Sequence, residues 1–222
     1  MCSTLTLTRQ CTHDPRMNHA SIPTPHLEFI PSTQTQRQRW KNGAGWTREI
    51  RRHPTEAEAF DWRLSVADIE NDGPFSAFPG YRRSLVLLKG HGIRLRFPDG
   101  HAHVLEPPHA RIDFDGGSAL QCQLLDGPTQ DFNLMWRPSR VSAQMLQRAV
   151  AGSMRLNHPA ADHSLIVHLL DGTLSITGTG LTVHAQAQDT IVLHPAHNDT
   201  PPIQLEGTAE ILLIQIAAAS AE

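Results

Sequence analysis

Three short stretches of the sequence place two polar residues two positions apart. The pairs are Thr47 with Glu49, Arg63 with Ser65, and Asp131 with Asn133. On a β-strand, residues i and i+2 point to the same side, so each pair would lie on one face. The opposite faces are apolar, with Trp62 and Leu64 in the second stretch and Phe132 and Leu134 in the third. Short hydrogen-bonding side chains with one arginine favour the interior of a small barrel that holds a polar ligand. An ordinary sheet with one solvent-facing polar side is the alternative.

Two glycine-containing loops accompany these pairs. Residues 40–47 read WKNGAGWT, and Lys41 is one of only two lysines beside 17 arginines. Glycine lets the backbone bend and approach a ligand closely, whereas Asn42 favours a turn without any further role. Residues 72–80 read DGPFSAFPG and predict a second rigid loop around Ser76. The alternative for Phe75 and Phe78 in this loop is that they cap the core.

Composition excludes several classes of function. The 222 residues carry 19 basic and 22 acidic side chains, a net charge of −3. That balance argues against a dedicated nucleic-acid binder, which usually has a strong basic excess. The three cysteines, Cys2, Cys11 and Cys122, are an odd set without C-x-x-C spacing, so neither a disulfide framework nor a zinc knuckle is expected.

The sequence predicts neither a signal peptide nor a membrane span. No apolar run reaches the length of a signal peptide or of a membrane span, which favours a cytoplasmic protein without membrane association. Residues 1–25 are polar and contain three prolines, and we expect a flexible extension there. Met17 is an alternative start within it.

The elements that must position the polar pairs are β-strands. After residue 26, short apolar segments are separated by Gly, Pro and Asp, as in an all-β sandwich or barrel. Residues 85–88 and 93–97, joined by KGHG, predict a hairpin, and the turn at 98–100 predicts a further strand at 101–105. Residues 141–150 have helical propensity.

The later part of the chain repeats the pattern of the first part. Residues 165–176, with Asp171-Gly172 at the turn, resemble the hairpin at 85–97 about 80 residues before them, and two further segments follow in the same order. A repeat of that period predicts two β-barrels in tandem. We expect residues 26–137 to form the first barrel, with the ligand pocket, and residues 138–222 a linker and a second, degenerate barrel. Charge agrees with this division, because no Lys or Arg follows Arg155.

Five motifs together resemble those of the HutD/Ves family. They are WKNGxGxTxEI at 40–50, WRxSxA at 62–67, DGPFSxFPG at 72–80, LLxGxG at 87–92 and DFNxM at 131–135. The resemblance runs from about residue 27 to residue 136 and more loosely to the end. It implies a bicupin, two cupin-type barrels of the RmlC-like jelly-roll class in one chain, which agrees with the internal repeat.

The same resemblance implies a function. Family members look like small-molecule binders associated with histidine utilisation, with a regulatory role and no firm enzymatic activity. The expected ligand is a small carboxylate metabolite of the urocanate, formiminoglutamate or formylglutamate class. The ligand-binding residues carried over from the motifs are Lys41, Asn42, Thr47, Glu49, Arg63, Ser65, Ser76, Asp131 and Asn133. Cupins often pair through sheet edges, which leaves a homodimer open, although the sequence does not reveal the oligomeric state. Residues 1–25 lie outside the family pattern.

Physical roles follow for some of these residues. Arg63 would clamp a carboxylate, because a guanidinium fork matches two oxygens. Lys41 would add a charge at the mouth of the pocket, and Glu49 or Asp131 would hold Arg63 in place. The alternative function is a metal-independent cupin enzyme, an isomerase or hydrolase acting on a histidine-degradation intermediate, with Glu49 or Asp131 as general base. Cys122 lies in an apolar stretch and is expected in the core rather than as a nucleophile.

Metal chemistry is not expected despite 14 histidines. A metal-binding cupin uses an H-x-H pair, a carboxylate and a later histidine, and the pair precedes the glycine hairpin. His101 and His103 with Glu106 follow that hairpin instead, on a strand side that we expect to face solvent. His194 and His197 in the later half lack a clear carboxylate partner. We therefore expect neither a metal nor another cofactor.

Overall fold

The computed structural model describes residues 27–55, 59–178, 180–196 and 200–219. The predicted flexible extension at 1–25, with its alternative start at Met17, lies outside the described residues, as does His197. The described part is almost entirely β-structure, with 16 strands and a single 3-10 turn at Ser32–Gln34. No helix within the described ranges has the length and apolar character needed to cross a bilayer.

The strands form three antiparallel sheets. The first sheet has the order β2 (Arg37–Arg39), β3 (Gly45–His53), β4 (Trp62–Ile69), β11 (Thr129–Trp136), β6 (Arg82–Lys89) and β9 (Arg111–Asp115). The second has the order β5 (Gly73–Pro74), β10 (Gln121–Leu124), β7 (Ile93–Arg96) and β8 (Ala102–Leu105). The third has the order β1 (Leu27–Ile30), β15 (Thr190–Leu193), β13 (His163–Gly178), β16 (Ile203–Ala218) and β12 (Val141–Leu156), with β14 (Leu181–Gln186) paired to β13.

The first sheet lies between two hydrophobic cores. Alternate residues of β4 and β11, such as Trp62, Leu64 and Phe132, pack against residues of the third sheet, such as Ile166 and Ile214. The opposite face packs toward the second sheet through a core that includes Ile69, Leu85, Leu95 and Cys122. A third core of aliphatic side chains fills the later half of the chain.

The polar pairs of the sequence lie on the face of the first sheet that is turned toward the second sheet. Ser65 is 1% exposed, Asn133 6% and Asp131 0%, so these side chains are buried rather than on a wet face. The interpretation as an interior surface is confirmed. Strand alternation is the reason, because the residues between them fill the core on the other side.

The same order of connections occurs twice along the chain. In the first sheet the order is β4–β11–β6–β9, and in the third sheet it is β12–β16–β13–β15. The internal repeat predicted from sequence therefore has a counterpart in topology. The described strands form open sheets, and no barrel closed by strand pairing is found among them.

Both predicted glycine hairpins are wrong. β6 pairs with β9 and β11, whereas β7 pairs with β8 and β10, so the turn between them carries the chain from one sheet to another. Gly90 and Gly92 make this passage with φ angles of +96° and +115°, which glycine adopts without strain. In the later half, β13 runs through Asp171 and Gly172 as one strand with a register shift.

The helix suggested for residues 141–150 is also wrong. These residues belong to β12, which pairs with β16 along its whole length from Val141 to Leu156. Backbone pairing with a long neighbour overrides a weak helical propensity. The strand predicted at 101–105 is confirmed as β8, which pairs with β7.

Candidate functional site

A cavity of about 240 Å³ lies on the inner face of the first sheet, beneath the loop that follows β5. This volume corresponds to about eight water molecules at the density of the liquid. Such a space suits a small metabolite and is too small for a dinucleotide cofactor. Six of the nine predicted site residues line it: Thr47, Glu49, Arg63, Ser65, Ser76 and Asn133.

Arg63 lines the cavity from the start of β4, where it is the second residue. Its guanidinium carbon lies 5.2 Å from the Phe60 ring centroid and 5.6 Å from that of Phe78, within the range of cation–π attraction. Among the described residues its buried Nε atom has no hydrogen-bond partner. Burial lowers the pKa of Arg63, and the Glu49 carboxylate opposes that shift. The structure thus holds a partly buried guanidinium with unused donor capacity at Nε.

Arg83 is a second guanidinium in the cavity wall, contributed by β6. Its partners are neutral acceptors, the Asn133 side-chain oxygen from Nε and the Ser76 carbonyl from Nη1, both at 3.4 Å. Its guanidinium carbon lies 5.1–5.9 Å from the ring centroids of Phe75, Phe78 and Phe114. Burial, with the nearby charge of Arg63, lowers the pKa of Arg83 to about 10, so it remains positive at neutral pH.

The charge of the cavity wall is strongly positive. Four arginines line it (Arg39, Arg52, Arg63 and Arg83) against the single carboxylate Glu49, which leaves 4 − 1 = 3 positive charges. Arg39 is half-exposed at the mouth, and Arg52 pairs with Glu49. The two inner guanidinium groups, Arg63 and Arg83, therefore carry the charge available to a ligand.

Neutral polar groups surround these charges. The Ser65 hydroxyl is buried and has no hydrogen-bond partner within the described ranges. Trp40 Nε1 donates to the Thr47 hydroxyl at 2.7 Å, which leaves that hydroxyl's own proton for another acceptor. A buried hydroxyl without a partner is costly. A ligand that forms a hydrogen bond with Ser65 and an ion pair with the arginines would therefore bind more tightly through both interactions.

Glu49 is an ion-pair partner of Arg63, but its closer contact is with Arg52. Its carboxylate makes a two-point contact with Arg52, at 2.6 Å from Nε and 2.5 Å from Nη2. The distance from Glu49 Oε2 to Arg63 Nε is 4.0 Å, beyond hydrogen-bond range. Asp131 has no hydrogen bond to Arg63 either, because both of its oxygens lack a partner in the described structure.

Three of the predicted site residues lie outside the cavity wall. Lys41 is exposed, and Asn42 accepts a hydrogen bond from the Ala44 N–H at 3.1 Å in a local turn. Asp131 is completely buried on β11, two residues before the lining residue Asn133. The structure gives Asn42 the turn-forming role and places Asp131 behind the wall rather than in it.

Seven lining residues were not singled out as site residues from the sequence. They are Gln38, Arg39, Trp40, Arg52, Phe75, Phe78 and Arg83, apart from the small apolar Ala67 and Leu85. A signal existed for Arg83, because it shares one strand side with Leu85 and Leu87, which pack in the core. A charged residue on an otherwise apolar strand side is a candidate for a buried functional group.

Within the described ranges, the histidines and Cys122 are not grouped in a way that suits metal or nucleophilic chemistry. His101 and His103 are exposed, as expected, and His101 pairs with Asp99. No group of three or more His, Cys, Asp or Glu side chains suited to a metal ion occurs among the described residues. Cys122 is buried in the core, and burial raises the pKa of its thiol to about 12, which keeps it protonated.

The fold is shared with cupin-type proteins. A cupin 2 conserved barrel domain protein from Leptotrichia buccalis aligns over 78% of this chain and 88% of its own, with a TM-score of 0.54 and 12% identity. That similarity concerns the fold alone. Together with the all-β architecture, it defines this molecule as a cupin-like protein with a positively charged cavity.

Sequence comparison narrows the class to one family. The HutD family profile matches residues 32–213, and the chain belongs to the HutD family. A structure of HutD from Pseudomonas fluorescens SBW25, obtained in a formate condition, aligns over 87% of this chain and 100% of its own, with a TM-score of 0.72 and 29% identity.

Two curated relatives align over about half of this chain. An uncharacterized 21.2 kDa protein in the hutC 3′ region of Pseudomonas putida is 42% identical over 120 residues, which cover 54% of this chain and 63% of that protein. Protein Ves from Citrobacter koseri is 38% identical over 120 residues, 54% of this chain and 62% of its own. The alignments thus span slightly less than two thirds of these relatives.

Proposed function

We propose that the cavity binds a small carboxylate metabolite and that the protein has a regulatory role in histidine utilisation. The observation that carries the proposal is the pair of guanidinium groups of the partly buried Arg63 and the buried Arg83, in a cavity wall with three net positive charges. The charge of these groups is poorly compensated, because Arg63 has Glu49 no closer than 4.0 Å and Arg83 has no salt bridge within the described ranges. Burial of such charges is costly, and an anionic ligand lowers that cost.

Arg63 is the main ligand-binding residue in this proposal. A carboxylate in front of it accepts hydrogen bonds from the planar guanidinium, including the unpartnered Nε, and from the Ser65 hydroxyl. Arg83 and Asn133 lie on the neighbouring strands β6 and β11 and bind a second polar group of the same molecule. Urocanate, formiminoglutamate and formylglutamate all have a carboxylate and a size compatible with about 240 Å³.

The connection with histidine utilisation rests on the relatives. The chain belongs to the HutD family, and one relative is named for its position in the hutC 3′ region of Pseudomonas putida. The proposal extends this association to the present chain. A cytoplasmic location without membrane or nucleic-acid partners, and a homodimer, belong to the same proposal.

We also interpret the two halves of the chain as cupin-type barrels in tandem. The recurring strand order supports this interpretation. The cavity belongs to the first half, whereas the core of the second half is filled by aliphatic side chains. Binding rather than catalysis is favoured, because Glu49 is engaged by Arg52 and Asp131 does not line the cavity.

A thermal-shift experiment tests the proposal. The three acids are added separately to the full chain, and at 100 times Kd a ligand stabilises the native state by about 2.7 kcal/mol. For a chain of this size the melting temperature should then rise by roughly 5 to 10 °C. Arg63→Ala should abolish the shift, and Arg82→Ala, an exposed neighbour of Arg83 on β6, should retain it.

Two results would contradict the proposal in different ways. An unchanged shift in Arg63→Ala would remove the cavity as the binding site. No stabilisation by any of the three acids would argue against the ligand class and the histidine connection.

A further inference from the structure

Asp131 is a carboxyl group enclosed on every side. It is 0% exposed, and neither of its oxygens has a hydrogen-bond partner in the part of the chain that the structure describes. It lies on the same side of β11 as Asn133, which does line the cavity. A buried carboxylate without hydrogen bonds is strongly disfavoured, so this group is expected to hold a proton.

The charged and titratable groups facing Asp131 come from the elements packed against its strand. The positive charge of Arg83 on β6 lowers the pKa of Asp131. The positive charge of Arg63 on β4 in turn lowers the pKa of Arg83. On the second sheet, the Cys122 thiol of β10 is neutral, because burial raises its pKa to about 12. The negative charge of Asp72, which directly precedes β5, contributes to that rise. Burial raises the pKa of Asp131 to about 8, and Arg83 only partly opposes that rise.

The contacts of Arg83 also support a protonated Asp131. Its hydrogen bonds go to the neutral oxygens of Asn133 and Ser76, and no salt bridge joins it to Asp131 in the described structure. A protonated Asp131 leaves the full charge of Arg83 available to the cavity. An ionised Asp131 would neutralise part of that charge and would repel an anion.

We infer that Asp131 is a proton-holding positioning residue behind Arg83, and that ionisation of Asp131 and binding of a carboxylate in the cavity oppose each other. The inference rests on the proposed function. It makes ligand binding dependent on pH through a residue that does not touch the ligand.

The test is a calorimetric titration of the full chain with formylglutamate between pH 6 and pH 9.5. The ligand's carboxylates ionise far below this range, and Arg83 stays charged over most of it. Affinity should be constant up to about pH 8 and then fall toward tenfold for each further pH unit. In Asp131→Asn the profile should be flat, because the amide cannot ionise. Asp126→Asn, which removes an exposed carboxylate, should keep the fall.

Failure of the inference is distinguishable from failure of the proposed function. Absence of binding at every pH would overturn the proposed function and the coupling with it. Binding with the same pH profile in the original chain and in Asp131→Asn would overturn the coupling alone. Infrared spectra of the unliganded protein give a second readout. The carboxylic-acid band that Asp131→Asn lacks should disappear with a midpoint near pH 8, and disappearance near pH 4 would refute the proton-holding role.

Discussion

We predict that the buried His168 makes the stability of this protein sensitive to acid. It lies on β13, completely buried between the first and third sheets, with its ring 4.6 Å from that of Phe132. Its Nδ1 atom is 2.9 Å from the Thr190 hydroxyl. Burial, followed by the positive charge of Arg48, lowers the pKa of His168 to about 3 from an ordinary value of 6.5.

The sign of the effect follows from proton binding. Below pH 6.5 the unfolded chain binds a proton at His168, whereas the folded chain does not until about pH 3. The free energy of unfolding is therefore unaffected by the titration of His168 above pH 6.5, and it decreases as the pH falls from 6.5 toward 3. The loss is about 1.4 kcal/mol for each pH unit, or roughly 5 kcal/mol over the whole interval.

The perturbation is His168→Asn, which keeps a polar group near Thr190 but does not titrate. Urea unfolding at pH 7, 6, 5 and 4, followed by tryptophan fluorescence, measures the free energy of unfolding of both proteins. A cavity left by the smaller side chain lowers the variant's stability by an amount independent of pH. The free energy of unfolding of the original chain, minus that of the variant, should therefore fall by about 1.4 kcal/mol per pH unit below pH 6.5.

The control is His103→Asn, because the His103 side chain is exposed on β8 and its replacement should leave the pH slope unchanged. Parallel pH profiles for the original chain and His168→Asn would refute the reasoning. Such a result would mean that the His168 ring can take up a proton in the folded state at ordinary pH.

Two further predictions concern the core and the cavity mouth. Leu64→Ala removes a fully buried side chain from the core between the first and third sheets and should lower the free energy of unfolding by about 2–5 kcal/mol in urea titrations; a loss below about 1 kcal/mol would contradict the close packing of these sheets. Lys41→Ala should weaken formylglutamate binding by less than about threefold in calorimetry, because exposed charges contribute little in water; a tenfold loss would return Lys41 to the site.

The polar inner face was predictable because strand alternation depends only on local sequence. In residues 62–66 and 131–134, apolar and polar residues alternate without a break, and the structure places them on opposite sides as the pattern requires. The same argument, with the family motifs, found six residues of the cavity wall. It missed Arg83 because the flanking residues of β6 gave no second polar partner to form a pair.

The pairing of the strands was less predictable, since it depends on contacts distant in sequence. The sequence around Gly90 and Gly92 is typical of a hairpin, but the partners of β6 and β7 include strands from residues 121–136. Likewise, β12 is a strand because β16 supplies hydrogen bonds along its length.

We expect a ligand carboxylate to bind to the Arg63 guanidinium in the cavity of the first half. The most direct measurement is a crystal structure of the chain with the most stabilising of the three acids. Carboxylate oxygens should lie within about 3 Å of the Arg63 guanidinium and of the Ser65 hydroxyl. A ligand bound elsewhere, with the cavity containing only water, would contradict it.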